Sequence, residues 1–587
     1  MNRRGFLRAS TLALGGIAVS TGLQSGFVSG ALSAAHATPR KIAFRHGVAS
    51  GDPLRDRVIL WTRISPIDAL GEAIEVGWEV AADSGFTELL HKGSTGTGPE
   101  QDYTVKVDVL NLKPDTRYYY RFNSQGVTSA HGNTKTLPAG DVSQVRLAVV
   151  SCANYPAGYF HVYAEVARAE NLDAVIHLGD YIYEYGAGGY ATAAAEDMGR
   201  ALPADNDGET LTLADYRKRY ALYRTDEDLQ ALHAAAACIA VWDDHEISND
   251  TWQHGAQNHN EDEGDFDERK RAALQAWFEW MPVRPASSDD QLTIYRSFDF
   301  GNLVSLHMLD TRVIGRDRQL TFSDYYDDEG FKSAAFRRDS MDPSRTLLGQ
   351  SQRRWLYDAL ETSGATWQVL GQQVLMGQRM LPRALLSVLQ DAEDRDLAQT
   401  LQALIAIAQR RQQNDPSLTQ QELDQVATLV PFSLDAWDGY AYEREMLLKH
   451  ASAHDTNLVV LSGDTHNAWA CNLTTLEGTH AGVEFVTSSV TSPGMESYLD
   501  IPQTLMPLSE RAITTLTHDV QYVNAYQRGY MLVTFTPEHA TADWHFVSGV
   551  AHPDYRMDQA RRFTLTAATG AQNRRLVSPA PADNIKR

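Results

Sequence analysis

A series of short, continuously apolar segments rich in β-branched residues most constrains the fold of this 587-residue chain. These segments alternate with helical patterns, for example at 159–169 and 229–236. The alternation predicts a layered α/β domain with a largely buried sheet. The predicted strands span 145–150, 174–178, 237–242, 303–309, 367–370, 457–461, 484–487, 530–536 and 542–547. The last two are expected to be antiparallel and to close the sheet.

Most of the predicted core strands are followed at once by residues of the types that bind metals or phosphate. Functional residues gather at the carboxyl ends of strands in open α/β sheets, so we expect these side chains to share one site. Carboxylates and imidazoles crowded at one sheet edge would repel one another, and bound cations are the simplest remedy. The residues concerned are Cys152, Asn154, Asp180, Tyr183, Asp243, Asp244, His245, Asp310, Arg312, Gln372, Gln373, Asp464 and His466.

The donor types indicate which ions such a site would take. Asp180 and Tyr183 lie three residues apart in a tight loop and can face one ion, and an aspartate can bridge two ions. Aspartate, phenolate and thiolate together favour a hard trivalent ion such as Fe(III). Further carboxylate and amide oxygens suit Ca²⁺, Mg²⁺ or Mn²⁺, with Zn²⁺ as another candidate. Neither H-E-x-x-H nor G-x-S-x-G occurs, which disfavours a zincin and a serine hydrolase.

Residues 44–138 show a different, all-β pattern. Short Val- and Ile-rich segments are separated by turns, and residues 103–109 alternate between apolar and polar. The string from Leu112 to Tyr118, L-K-P-D-T-R-Y, resembles the tyrosine corner of fibronectin type III sandwiches. We therefore predict an N-terminal fibronectin III-like β-sandwich with a structural role. A catalytic domain over 145–550 and a C-terminal tail over 551–587 follow it.

One stretch, residues 376–449, interrupts the catalytic pattern with helical segments and no clear strand. Leu397, Leu401 and Leu404 recur on one helical face, and Thr419 with Glu422 forms the pattern of a capping box. These features predict a helical insertion. It could be a lid over the site or a surface hairpin.

The first 37 residues have the features of a secretory signal. Arg3 and Arg4 precede Phe-Leu, an apolar segment follows, and Ala35-His36-Ala37 supplies a small-residue cleavage site. We expect the twin-arginine export machinery to carry the folded chain to the periplasm or the medium. Gly, Ser and Gln interrupt the apolar segment, which disfavours a membrane anchor, and no other stretch has the roughly 20 apolar residues that a span needs.

The acidic composition narrows the class of partner. The chain has 52 basic and 75 acidic residues and a formal net charge of −23. Removal of the signal would take away three of the arginines and make the chain more negative. Such a negative chain is not expected to hold nucleic acid or an anionic membrane. Three cysteines are too few for a disulfide scaffold. Small anionic substrates, recruited by bound cations, remain the expected ligands.

Taken together, the motifs resemble those of a known enzyme family. The order G-D-x-x-Y at 179–183, D-H-E at 244–246 and G-D-x-H at 463–466 is similar to that of calcineurin-like metallophosphoesterases. The motifs resemble those of PhoD-type alkaline phosphatases more closely still. The twin-arginine signal and the N-terminal β-domain of this chain are also similar to those of that family. The strings that carry this likeness are HGVASGDP at 46–53, SC at 151–152, GDYIYE at 179–184, WDDHE at 242–246, LDTR at 309–312 and SGDTHN at 462–467.

The resemblance implies a ligand set. An iron would take Cys152, Asp180 and Tyr183, together with His466 or Asp464, and Asp180 would bridge to a second site, commonly calcium. Asp244 and Asp464 would complete that second site. Asp244 stands where the wider superfamily has asparagine and Asp464 where it has histidine, and both changes favour a harder ion than zinc. The residue that supplies the remaining ligand is not assigned and is expected near Gln372 or Gln373.

The expected reaction is the hydrolysis of a small phosphate ester by hydroxide attack in line with the leaving oxygen, from water that the metals acidify. His245 is expected to orient the substrate or to protonate the leaving group. Arg312 is expected to clamp a phosphate oxygen rather than pair with Asp310, and Asn154 to contact the substrate. Two alternatives stay open: a phosphodiesterase of the phospholipase D-like type, and a non-catalytic exported protein with structural calcium.

Overall fold

A computed structural model describes residues 42–67, 71, 73–286, 292–327, 330–390, 397–499, 501–558, 563–570 and 573–577. The predicted signal, residues 1–37, lies outside the described residues. None of the helices described in these ranges combines the length and the apolar character needed to cross a bilayer.

The larger of two central sheets has nine strands. Its middle strands run parallel, and the strands at 529–535, 539–546 and 563–568 are added antiparallel at one side. In spatial order the strands are Phe563–Ala568, His539–Phe546, Gly529–Phe535, Val145–Val150, Ala174–His177, Cys238–Ala240, Val48–Gly51, Arg57–Arg63 and Thr104–Leu110. The strand at 563–568 lies within the predicted tail, which therefore forms part of the sheet.

The second sheet has seven strands, four of them parallel. In spatial order they are Arg296–Phe300, Val304–Met308, Trp367–Gly371, Leu458–Ser462, His480–Val486, Ala468–Thr474 and Val520–Asn524. Alternate residues of one strand face different cores. Val459 and Leu461 pack into the core shared with the nine-stranded sheet, whereas Leu458 and Val460 pack against helices. Across the shared core, the Trp544 indole N–H donates to the Val486 carbonyl oxygen at 2.9 Å.

Helices cover both sheets, so the predicted layered α/β architecture is confirmed. The helices at 161–168, 213–223, 227–235 and 266–280 supply residues to the core of the nine-stranded sheet, and those at 349–362 and 441–453 pack on the seven-stranded sheet. The described helices are His161–Arg168, Leu213–Tyr223, Glu227–Ala235, Phe266–Trp280, Ser333–Ser340, Gly349–Thr362, Arg383–Gln390, Leu397–Gln412, Gln420–Ala427, Ala441–Ala453, Met495–Tyr498 and Met506–Leu516.

The N-terminal β region divides between two sheets. Strands 48–51, 57–63 and 104–110 belong to the nine-stranded sheet, where Gly51 pairs with Cys238 of the catalytic region. A Cβ at Gly51 would lie 2.5 Å from the Cys238 carbonyl oxygen, so only glycine permits this pairing. The other strands form a separate sheet that packs against the first three through an apolar core. They are Gly132–Lys135, Arg117–Ser124, Ile74–Ala81, Leu89–Thr97 and Val127–Thr128.

The predicted tyrosine corner is formed in part. The Tyr118 hydroxyl oxygen accepts the backbone N–H of Lys113 at 2.8 Å, which is the hydrogen bond of such a corner. One layer of the predicted sandwich is nevertheless continuous with the catalytic sheet. The likeness to a fibronectin type III domain therefore stays a prediction.

The stretch predicted to lack strands contains a short two-stranded ribbon. Met380–Pro382 pairs antiparallel with Leu429–Pro431, and each strand is too short to give a periodic sequence pattern. The predicted capping box is present, with the Thr419 hydroxyl accepting the Glu422 N–H. The remaining short described strands are Ile42–Ala43, Ser65–Pro66, Tyr326–Asp327 and Gly330–Phe331.

Candidate metal centre

The carboxyl ends of strands from both sheets meet at one place. Loops of the nine-stranded sheet carry Cys152 and Asp180, and loops of the seven-stranded sheet carry Asp464 and His466. The two sets of loops are hydrogen-bonded, since the Cys152 carbonyl oxygen accepts the backbone N–H of Thr491 at 3.3 Å. The predicted convergence of ligand-type residues is therefore present in the fold.

These four residues share an unusual backbone conformation. Cys152, Asp180, Asp464 and His466 have φ angles of 60°, 54°, 63° and 61°. Residues other than glycine rarely adopt this left-handed region, which costs about 1–3 kcal/mol each, and such strain concentrates at functional sites. The fold thus accepts strain where the donor atoms of the two sheets meet.

The first group of donors joins Cys152, Asp180 and His466. The Cys152 sulfur, an Asp180 carboxylate oxygen and a His466 ring nitrogen all lie within 4.8 Å of one another. The Tyr183 hydroxyl donates to Asp180 Oδ2 at 2.9 Å and lies 3.2 Å from His466 Nε2. It also accepts a hydrogen bond from Ser492 Oγ at 2.6 Å. The thiol, carboxyl, phenol and imidazole predicted for iron are therefore neighbours in a buried cluster.

His466 is oriented by the backbone. Its Nδ1–H donates to the Pro493 carbonyl oxygen at 2.8 Å, and the Tyr190 hydroxyl lies 3.1 Å from the same nitrogen. A ring that donates through Nδ1 keeps its lone pair on Nε2, the form that binds a metal. Nε2 is also the nitrogen that lies near Tyr183 and Asp180.

Two further groups of donors are built from carboxylates. Oxygens of Asp180 and Asp244 lie within 4.8 Å of a His245 nitrogen, and oxygens of Asp243, Asp244 and Asp464 lie within the same distance of one another. In the described part of the chain, Asp180 Oδ1, Asp243 Oδ2 and Asp244 Oδ1 are buried without a hydrogen-bond partner, although Asp244 Oδ1 lies 3.4 Å from an Arg312 nitrogen. Because unsatisfied buried oxygens cost free energy, these atoms fit the coordination of cations.

Burial favours the neutral forms of several donors. Burial, followed by the charge of Asp180, raises the pKa of the Cys152 thiol and of the Tyr183 phenol well above their usual values. Burial likewise raises the pKa of Asp464, although Arg312 opposes it. A multivalent cation reverses this preference, since a coordinated thiol is deprotonated outright. A bound cation would therefore displace the protons of donors that are neutral in its absence.

Arg312 does not have the contacts of the predicted phosphate clamp. Its guanidinium is fully buried and donates to Asp243, to Asp435 Oδ1 at 2.9 Å and to Asp464 Oδ1 at 2.9 Å. Nor do the side chains of Arg312 and Asp310 pair; the Asp310 carboxylate accepts the Arg312 backbone N–H at 2.8 Å. With its nitrogens bonded to carboxylates, Arg312 holds the acidic loops together. The sequence alone could not show which carboxylates surround it.

The two glutamines considered for the open ligand position are engaged elsewhere. The Gln373 amide oxygen accepts from Thr311, and its nitrogen donates to the Trp242 carbonyl oxygen at 2.6 Å. The Gln372 amide oxygen accepts the Trp437 indole N–H at 3.1 Å. Both side chains are buried and join neighbouring segments of the fold. Neither is placed as a metal ligand.

His245 is held against the acidic cluster by Glu184. Its Nδ1–H donates to Glu184 Oε2 at 2.7 Å, and its ring stacks on Tyr183 with centroids 4.2 Å apart. Burial disfavours the imidazolium, but the charges of Glu184, Asp244 and Asp180 outweigh burial and raise the pKa of His245 well above its usual value. His245 can therefore carry a proton at the site.

A cavity of about 220 Å³ opens onto these groups. Five of the predicted residues border it: Asp180, Asp244, His245, Asp464 and His466. Asn154, predicted to contact the substrate, is only 1% exposed and is not among the bordering residues. The structure therefore does not place Asn154 at a substrate.

Four residues of this region were not predicted to have a role in the site. Glu184 holds His245, and Glu246 joins two loops by accepting the backbone N–H of Asp180 at 3.0 Å and of Asp243. Both glutamates stand inside recognised motifs, so their signal was available. Asp435, which binds Arg312, and Arg379, which borders the cavity, belong to the predicted insertion, where no motif marks them.

Comparisons with known proteins identify the family of this chain. Residues 147–544 match the family of PhoD-like phosphatases, and residues 30–138 match the N-terminal domain of PhoD-like phosphatases. Alkaline phosphatase D of Bacillus subtilis (strain 168) is 35% identical over 526 residues, which cover 87% of this chain and 78% of that protein. A solved structure described as the structure of PhoD has a TM-score of 0.73 and 31% identity, with 93% of each chain covered.

These matches decide between the enzyme and the non-catalytic alternative. The family match covers most of the chain, including every segment that carries a predicted metal ligand. The non-catalytic exported protein is therefore set aside. The chain belongs to the PhoD-like phosphatase family and is a phosphoric ester hydrolase.

Proposed function

We propose that this phosphoesterase is metal-dependent, acts on small phosphate monoesters and takes Fe(III) and Ca²⁺ at one shared site. The observation that carries the proposal is the double use of Asp180. Its carboxylate belongs both to the group with Cys152 and His466 and to a group with Asp244, which is itself grouped with Asp243 and Asp464. A carboxylate between a thiolate–phenolate set and an oxygen-rich set favours two different ions.

The donors divide between the two ions by their chemistry. Cys152, Asp180, Tyr183 and His466 would hold the iron, and Asp180 would hold the calcium with Asp244 and Asp464. When bound, these ions acidify water and neutralise phosphoryl oxygens in the transition state. Zn²⁺, Mg²⁺ or Mn²⁺ are the alternatives for the oxygen-rich side.

His245 is suited to give a proton to the leaving oxygen. It borders the cavity, and Glu184 occupies its Nδ1, which leaves Nε2 as the nitrogen for a substrate. Glu184, which is not among the proposed metal ligands, favours its protonated form. General acid catalysis of this kind typically contributes a factor of about 10²–10⁴ to the rate.

A phosphodiesterase is the second candidate, because the same metals and the same general acid serve diesters. The test is to purify the exported protein from its own host, to measure its metal content and to assay aryl phosphate monoesters and diesters. We expect iron and calcium, and a higher kcat/KM for the monoester. A marked diester preference would overturn the monoester assignment. A colourless, fully active protein that contains only zinc would overturn the assignment of the metals.

We also propose export by the twin-arginine route, on the strength of Arg3, Arg4 and the small-residue site before Thr38. This route carries folded proteins, which suits a chain whose metal is loaded before export. Changing both arginines to lysine should leave the precursor in the cytoplasm, as measured by cell fractionation. Unchanged export of the doubly substituted protein would contradict the proposal.

A further inference from the structure

The cavity beside the candidate metal centre is bordered by hydrogen-bond donors as well as by acids. Arg379, Asn467 and Trp469 border it, and each is at most 2% exposed. In the described part of the chain, Arg379 Nε and Nη2, Asn467 Nδ2 and Trp469 Nε1 have no hydrogen-bond partner. All of these atoms are donors. The cavity therefore combines an acidic side suited to cations with unsatisfied N–H groups suited to an anion.

Local structure holds the three donors in place. The Arg379 carbonyl oxygen accepts the Phe432 N–H at 3.0 Å, next to the two-stranded ribbon of the insertion. The Arg379 guanidinium lies over the Phe432 ring, 5.3 Å from its centroid, and 5.7 Å from that of Trp469. Asn467 is fixed by its amide oxygen, which accepts the Met495 N–H at 3.1 Å. Trp469 lies in the strand Ala468–Thr474, which begins directly after Asn467.

The charge of Arg379 is the strongest indication of a ligand. Within the described residues no carboxylate forms an ion pair with it; Asp438 accepts only its backbone N–H, at 3.1 Å. The Arg379 charge does oppose the burial that raises the pKa of Asp438, so the two interact through space. A buried guanidinium that lacks hydrogen-bond partners for some of its N–H groups costs free energy. An anion that binds to these groups removes that cost. Arg312, by contrast, is already saturated by carboxylates.

We propose that Arg379, with Trp469 Nε1 and Asn467 Nδ2, forms the anion-binding wall that receives the phosphoryl oxygens of the substrate. This inference rests on the proposed function of the site, and it transfers the phosphate-binding role predicted for Arg312 to a residue of the insertion. The guanidinium offers charge-assisted hydrogen bonds that suit a phosphate. The insertion is thereby part of substrate recognition.

The test uses the metal-loaded wild-type enzyme and Arg379→Gln. Binding of inorganic phosphate is measured by calorimetry, and kcat and KM with an aryl phosphate monoester. Removing a charge-assisted hydrogen bond should raise the phosphate Kd and the KM by about 10- to 100-fold, with metal content unchanged. Arg379→Lys should recover part of the loss. Trp469→Phe, which removes one donor and keeps the ring, should raise the Kd by a smaller factor.

A matched control is Arg444→Gln. Arg444 is 1% exposed and donates to the Met376 carbonyl oxygen, but it does not border the cavity. We expect its substitution to lower the thermal midpoint and to leave the phosphate Kd unchanged. Equal Kd increases in the Arg444 and Arg379 variants would overturn the proposal. So would an Arg379→Gln enzyme with wild-type Kd and KM.

The test also separates this inference from the proposed function. A wild-type protein that binds phosphate through Arg379 but hydrolyses neither class of ester would support the anion wall and overturn the proposed function. An active enzyme whose phosphate Kd is independent of Arg379 would do the reverse.

Discussion

Glu184 Oε2 lies 2.7 Å from His245 Nδ1, and the other oxygen of Glu184 accepts the backbone N–H of Asn249 at 2.8 Å. Glu184 is therefore a fixed support that sets the orientation and the charge of the imidazole. We predict that Glu184→Gln lowers kcat by about 10- to 100-fold and changes KM little. Steady-state kinetics with an aryl phosphate checks this. Glu209→Gln is the control, since Glu209 contacts Arg269 and Asn258 without contacting His245; equal losses in both variants would contradict the assigned role.

The two sides of the metal centre should be separable by substitution. We predict that the oxidised enzyme absorbs in the visible range by charge transfer to Fe(III), and that Cys152→Ala and Tyr183→Phe each abolish or shift the band. Asp244→Asn should keep the band and lose calcium, because Asp244 is grouped with carboxylates and not with the thiol. Absorption spectra and elemental analysis of each variant provide the measurement. A band that persists unchanged in both the Cys152 and Tyr183 variants would rule out these ligands.

Arg312 should matter for stability first. Its buried guanidinium is bonded to Asp243, Asp435 and Asp464, and removing one partner of a buried ion pair typically costs about 3–5 kcal/mol. We predict that Arg312→Gln lowers the free energy of unfolding of the metal-free protein by about that amount in urea titrations. Arg168→Gln, at an exposed pair with Glu165, should cost less than about 1 kcal/mol. An Arg312 variant that is as stable as the wild type and has only a raised KM would support the predicted role of Arg312 as a phosphate clamp.

Stability should fall in mild acid because of a buried neutral histidine. Burial lowers the pKa of His177 to about 3, and its Nε2 lies 2.8 Å from the Tyr163 hydroxyl. Between about pH 3 and the usual value of 6.5, the unfolded chain binds a proton at this residue that the folded chain does not. The free energy of unfolding therefore falls as pH drops below 6.5, by up to about 1.4 kcal/mol per pH unit.

Replacing His177 by glutamine should remove that contribution. We predict that the difference in urea midpoint between pH 7 and pH 5.5 is smaller in His177→Gln than in the wild type. His539→Gln, at an exposed position, should keep the wild-type difference. An unchanged difference in the His177 variant would show that other groups cause the acid sensitivity.

The predicted ligand residues that the structure brings together lie close to regular structure. Cys152, Asp180 and His466 each follow a buried strand within a few residues, so the strand pattern also placed them at one edge. Hydrophobic alternation carries that information because strands of a buried sheet are continuously apolar. The layered fold followed from the same pattern.

What the sequence could not give depends on contacts between distant segments. From its sequence position alone, Arg312 is predicted to bind phosphate. Its actual neighbours include Asp435, which belongs to the insertion. Arg379 stands next to a three-residue strand, too short for any periodicity. The tail strand Phe563–Ala568 was not predicted, because an edge strand needs a partner strand, here His539–Phe546, more than a distinctive sequence pattern.

The division of donors between the two sheets has a consequence for the order of events in biosynthesis. Cys152 and Asp180 leave the ribosome some 300 residues before Asp464 and His466, and neither pair alone makes a complete site. If the proposed ions are bound at this site, a nascent or truncated chain would not retain them. Under the proposed metal dependence, uptake of the ions would follow docking of the sheets, and a loaded ion would mark a finished molecule. Any quality control that senses the ion would in effect be sensing the tertiary structure.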